Sequence, residues 1–196
     1  MHMAPPDGEL SQRHLAELDR RLGVILDACP DLAVYVTADH GMNAKRRCYD
    51  LARALAEAGR PILFAMSAER DPYVRHHRTF GGTAYVWLEA PGDREGVETA
   101  LRGLEGVEDV LTRHQAAARF RLHPDRIGDL VVLGDRDTVF GPLEHPVEDL
   151  PAGFRTHGSC HELRVPLVVY GTPVAAPDRA AHTHNVHLTR SLLLEG

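Results

Sequence analysis

The stretch Leu32–Asn43, LAVYVTADHGMN, decides how the rest of the chain is read. Its first six residues are nearly all apolar and rich in β-branched side chains, with Pro30-Asp31 before them and Ala38-Asp39-His40-Gly41 after. A short apolar run between turn residues predicts a strand covered on both faces, as in the middle of a parallel sheet. Upstream, Leu15, Leu18, Leu22, Ile25 and Leu26 recur at helical spacing and predict an amphipathic helix over 10–29 that ends near Pro30. Downstream, Cys48–Gly59 predicts a second helix with a glycine stop, and Pro61–Met66, PILFAM, a second buried strand. This order of helices and strands is that of an α/β sheet with helices on both faces.

After Ser67 the texture changes. Strands are predicted at 83–88, 107–112 and 129–133, with helices at 93–104 and 114–120 between them, which makes a small α+β unit, loosely ferredoxin-like. Gly, Pro and acidic residues over 134–153 read as a linker. The first texture then returns in a buried strand, Val165–Tyr170, and a terminal helix, Asn185–Leu194.

The chain has 196 residues, a formal charge of −6 and 43% hydrophobic residues, enough to bury a core and too apolar for disorder. No apolar run is long enough to cross a bilayer, and no basic stripe suits a phosphate backbone, so neither a membrane nor a nucleic acid is expected as partner. Cys29, Cys48 and Cys160 are odd in number and lack a CxxC pair, which suits reduced thiols in the cytoplasm. The 13 histidines are the unusual entry, because histidine is the commonest metal ligand.

Asp39-His40-Gly41 lies directly after a strand, where open sheets place their ligand crevice. A carboxylate and an imidazole there can share one Zn²⁺ or Mn²⁺, with Gly41 easing the turn. The competing reading is an aspartate that caps the turn beside a surface histidine. His157, in Thr156-His157-Gly158-Ser159, offers a third metal-competent side chain from a distant segment, against a surface loop histidine. His76-His77 read as solvated or substrate-facing, and His182, His184 and His187, in HTHNVH, as either a metal cluster or a polar helix start; His14, His114, His123, His145 and His161 read as surface positions. The single lysine, Lys45, and Arg46, Arg47, Arg75 and Arg78 are the cations that could meet an anionic substrate, or are solvated charge. There is no GxSxG nucleophile elbow and no glycine-rich phosphate loop.

Residues 35–45, YVTADHGMNAK, together with 156–171, THGSCHELRVPLVVYG, resemble the C-terminal half of the alkaline phosphatase superfamily, in its phosphonoacetate hydrolase and nucleotide pyrophosphatase/phosphodiesterase branch. The resemblance implies a partial alkaline-phosphatase-like α/β core over 1–67 and 151–196, with an α+β cap inserted over 68–150. It implies a site for two zinc ions, with Asp39 and His40 as ligands of one metal and His2 and His157 as ligands of the other. The implied substrate is a small phosphonate or phosphate ester, with phosphonoacetate favoured by the cap. In the family pattern an aspartate four residues before His2, the nucleophile and a further metal aspartate all precede Met1. The expectation is therefore a chain inactive alone, completed by an N-terminal segment or chain, and prone to self-association through apolar surface. A generic phosphodiesterase and a non-catalytic remnant or binding domain are the alternatives.

Overall fold

The computed structural model describes residues 4–67, 80–171 and 184–188. They fall into two compact units, one within 42–163 and the other made of 4–41 with the described residues after 163.

The first unit is built on a four-stranded antiparallel sheet. Its strands are β4 (Phe64–Ser67), β5 (Thr83–Trp87), β6 (Val107–Thr112) and β7 (Leu130–Gly134), in the order β4-β5-β7-β6. β7 is buried at all five positions because it has a strand on each side and helices over both faces. Alternation of side chains sorts the apolar residues of the sheet to its two faces. Ala84, Val86, Val110, Leu130 and Val132 pack against Leu51 and Leu55 of α2 (Leu51–Glu57) and Val97 and Leu101 of α3 (Arg94–Arg102). Leu111, Val131 and Leu133 face Ala116 of α4 (Arg113–Phe120) on the other side. The strand order β5-β7-β6 is that of a ferredoxin-like unit, yet α3 and α4 cover opposite faces. Thr112 starts α4 with a capping box closed by Gln115, and Asp50 caps α2 by accepting from the Arg53 amide at 3.1 Å.

Two smaller pairings frame this sheet. β3 (Arg47–Tyr49) lies between β8 (Thr138–Phe140), which it pairs in parallel, and β9 (Val147–Asp149), antiparallel. β2 (Asn43–Ala44) pairs antiparallel with β10 (Arg155–Thr156). Cys48 is therefore in a strand rather than at a helix start, and the stretch 134–153 carries two strands instead of a linker. Both are three-residue strands whose hydrophobic signal is too short to read without the neighbour they pair with. These pairings also carry the compact unit to 42–163, wider than the 68–150 expected of an inserted cap. PILFAM contributes an edge strand, β4, with Phe64 42% exposed, because β5 is its only strand neighbour among the described residues.

The second unit contains α1 (Glu9–Ala28) and an antiparallel ribbon of β1 (Val34–Thr37) and β11 (Leu167–Tyr170). LAVYVT was expected as a central parallel strand covered on both faces. Among the described residues β1 pairs only with β11, antiparallel, and Val36, Val168 and Tyr170 are exposed. Asn185, in the helical residues 185–188, donates to the Ala38 carbonyl at 2.9 Å and so pins the end of β1. The rest of the expected terminal helix, and the start of the expected cap at 68–79, lie outside the described residues. No helix among the described residues is long and apolar enough to cross a membrane.

One ion pair joins the β2 and β10 segments from inside. Lys45 donates to Glu162 at 2.9 Å, with side chains 0% and 1% exposed. Burial alone would push the Glu162 carboxyl up, but hydrogen bonds from Lys45, Ser159 and Asn43 outweigh it and hold the group below the usual glutamate range. A carboxyl so lowered stabilises the fold fully above its ordinary pKa and loses that contribution as pH falls through the lowered value.

Two outcomes are expected. Leu101→Ala, at a fully buried position of α3, should destabilise the first unit by about 3 kcal/mol, read from urea unfolding. Lys45→Met should cost about 3–5 kcal/mol at neutral pH by leaving the Glu162 charge buried without its counter-charge. Glu162→Gln should also lower the urea midpoint at neutral pH, and its gap from wild type should narrow towards about pH 3; a gap constant across that range would contradict the assignment.

Candidate functional site

Asp39 and His40 follow β1 in a turn that reaches Gly41. Asp39 Oδ1 accepts the His40 backbone amide at 2.9 Å, which ties the carboxylate to the turn. The His40 ring nitrogen Nδ1 stands 2.9 Å from the Gly41 carbonyl. A carbonyl only accepts, so Nδ1 carries the proton and the lone pair sits on Nε2. Nε2 lies 3.5 Å from Asp39 Oδ2. The carboxylate and the ring nitrogen therefore lie on the same side of the turn. The arrangement, an imidazole fixed through its other nitrogen by a backbone carbonyl and set beside a carboxylate, has the chemistry of a borderline divalent cation site. Asp39 is 85% exposed and His40 36% in their side chains, so the pair is open to solutes.

His157 belongs to the other unit and is half-buried in the loop after β10. Its carbonyl accepts from the Gly82 amide at 3.0 Å, and Thr83 Oγ1 donates to the Gly158 carbonyl at 2.6 Å. Thr156 Oγ1 donates to the Phe80 carbonyl at 2.9 Å from a buried position. Gly158 has φ 98°, a backbone conformation that a side chain disfavours, which is why a glycine follows the histidine here. Gly82 is needed for a different reason: a Cβ on it would fall 2.5 Å from Ser159 Cβ.

The structure thus brings Asp39 and His40 together, and holds His157 on a fixed loop in the other unit. His2 lies outside the described residues, as do His76, His77, His182, Arg75 and Arg78. Among the described residues no group of three or more His, Cys, Asp or Glu side chains comes together to hold a metal. His184 and His187 stack edge to face at 5.3 Å. His161, read as a surface position, meets Glu108 at 2.8 Å. Cys160 is a free thiol, and burial pushes its pKa up, which keeps it protonated and unsuited to nucleophilic attack.

Of the cations, Lys45 is fully buried and engaged by Glu162 and by the Arg136 carbonyl at 2.9 Å, so it does not meet a substrate. Arg47 is paired with Glu105 at 2.8 Å, and Arg46 is an exposed partner of Asp137. Glu162 escaped the sequence reading, although Ser159-x-x-Glu162 is a capping-box pattern, and the box closes with the Ser159 amide donating to Glu162 Oε2 at 2.8 Å.

Comparison with known proteins bears on this geometry. The family model described as Type I phosphodiesterase / nucleotide pyrophosphatase matches residues 1–159. Phosphonoacetate hydrolase from Sinorhizobium meliloti 1021, solved in complex with phosphonoacetate, superposes with a TM-score of 0.78 at 31% identity, over 91% of this chain and 45% of that one. The same enzyme with phosphonoformate gives a TM-score of 0.78 at 30% identity. Murine ectonucleotide pyrophosphatase / phosphodiesterase 5 is similar in fold, with a TM-score of 0.58 at 19% identity over 85% of this chain and 43% of that one. The chain spans just under half the length of these solved relatives. Its α/β architecture corresponds to part of an alkaline-phosphatase-like fold, and the chain belongs to the Type I phosphodiesterase / nucleotide pyrophosphatase family, in the phosphonoacetate hydrolase and nucleotide pyrophosphatase/phosphodiesterase branch of the alkaline phosphatase superfamily.

Proposed function

We propose that this chain carries part of the metal site of a hydrolase of the phosphonoacetate hydrolase type, which converts phosphonoacetate and water to acetate and phosphate. The observation that carries the reading is the Asp39–His40 pair, with Nδ1 bound to the Gly41 carbonyl and Nε2 directed towards the carboxylate. The ligands proposed are Asp39 and His40 for one Zn²⁺ and His157 with His2 for a second. Zinc in such a site polarises phosphoryl oxygens and stabilises the leaving group. The residues of this chain contribute placement: Gly41 fixes the His40 tautomer, and Phe80, Gly82 and Thr83 fix the backbone that carries His157.

The nucleophile and the remaining metal aspartates are proposed to come from a segment on the amino side of Met1 in the family pattern, whether in the same polypeptide or in a complementing chain. The exposed apolar residues Leu15, Leu18 and Ile25 of α1 and Val168 and Tyr170 of β11 support association with such a segment or with a second copy. The free cysteines support a cytoplasmic location. A second reading, hydrolysis of a phosphodiester or nucleotide, is favoured by the description of the matching family model.

Zinc content measured by elemental analysis after dialysis should fall in both Asp39→Ala and His157→Ala, and unchanged content in both would overturn the reading. Mixed with the amino-side segment that carries the nucleophile, the chain should release phosphate from phosphonoacetate. Turnover of a p-nitrophenyl phosphodiester without phosphonoacetate turnover would select the second reading, and zinc binding with neither activity the non-catalytic one.

A further inference from the structure

A buried ion pair is poor evidence of stability, because removing two charges from water offsets most of their attraction and apolar residues of similar volume fill a core as well. What such a pair supplies is direction. Both Glu162 oxygens are committed, and to two different segments. Oε1 accepts from Lys45 Nζ at 2.9 Å and from Asn43 Nδ2 at 2.7 Å. Oε2 accepts from the Ser159 amide at 2.8 Å and from the Ser159 hydroxyl at 2.7 Å. One carboxylate therefore ties residues 43–45 to a residue two positions after His157. On the opposite side the same loop is tied to Phe80, Gly82 and Thr83 by the three hydrogen bonds from and to residues 156–158. The backbone of 156–159 is held by both sets of bonds.

We propose that Glu162, with Lys45 as its counter-charge, is a positioning residue for His157: it fixes the loop from which the imidazole reaches a metal ion. The proposal rests on the reading of His157 as a metal ligand. Lys45 and Glu162 touch no substrate in this scheme. Their effect passes through the Ser159 backbone to the histidine, so replacing the pair by apolar residues leaves a packed interior and an undirected loop.

The test compares the full chain with Lys45→Met/Glu162→Leu, which exchanges the pair for apolar side chains, and with Ser159→Ala, which removes one of the four bonds and keeps the charges. Three quantities are read: thermal unfolding, amide hydrogen exchange over 156–159, and Zn²⁺ affinity by competition with a chromophoric chelator. The double variant should melt cooperatively close to wild type, exchange about tenfold faster over 156–159 and bind Zn²⁺ about 10–100-fold more weakly. Ser159→Ala should move both of the latter in the same direction by a smaller factor, and it decides the matter if the double variant does not fold. Wild-type exchange, or wild-type zinc affinity, in a folded variant overturns the proposal. His157→Ala separates the two levels: if it leaves zinc affinity unchanged, the ligand reading has failed and the clamp has no ligand to position; if it weakens zinc and the clamp variants do not, the clamp alone has failed.

Discussion

A carboxylate and an ammonium are buried together at low cost only when hydrogen bonds replace the water they lose, and in the corner around 42–45 and 155–162 Glu162 accepts four such bonds and Lys45 donates two. Asn43 is in a strand too short to be stable alone, and Ser159 starts a single turn of helix. Each is held by its side-chain bond to Glu162 as much as by its backbone. The pairing of β2 with β10, the turn at 160–162 and the loop of His157 all adjoin the same four-bonded carboxylate. The lowered pKa of Glu162 makes its contribution to this corner one that is lost in acid.

Much of the fold was legible because it is written in period and punctuation. The helices α1, α3 and α4 follow apolar spacing, and β5, β6 and β7 follow short β-branched runs. What was not legible is partnership. β1 reads as a buried central strand and β4 as a buried strand because apolar composition records a wish to be covered, not the identity of the cover; among the described residues one pairs in a ribbon and the other stands at a sheet edge. β8 and β9 were invisible because three residues carry no period. The candidate site divides along the same line. Asp39 and His40 were readable from their position after a strand, since adjacency in sequence and the end of a strand already place them together. Lys45 could be read only as a candidate substrate cation or as solvated charge, because a single positive charge looks alike on a surface and opposite a glutamate 117 residues away.

Metal-site chemistry and backbone geometry meet in the two glycines that follow the candidate histidines. Gly41 supplies a carbonyl that fixes the proton of His40, and Gly158 takes a positive φ that turns the chain after His157. The histidine-glycine pairs are thus alike in sequence and different in mechanism: one sets a tautomer, the other a path.

The order β4-β5-β7-β6 has a consequence for how the first unit is made. β5 and β6 are both neighbours of β7 and lie about 10 Å apart, two strand spacings, with nothing to bond to each other. A chain emerging from the ribosome through β6 therefore holds two strands that cannot pair, with apolar faces prepared on both. Only when Leu130–Gly134 emerges, after α4, can it slide between them and complete both ladders at once. The β4–β5 ladder can form early in synthesis, but β6 joins the sheet only through β7, so that half of the sheet closes late, with apolar faces exposed until it does.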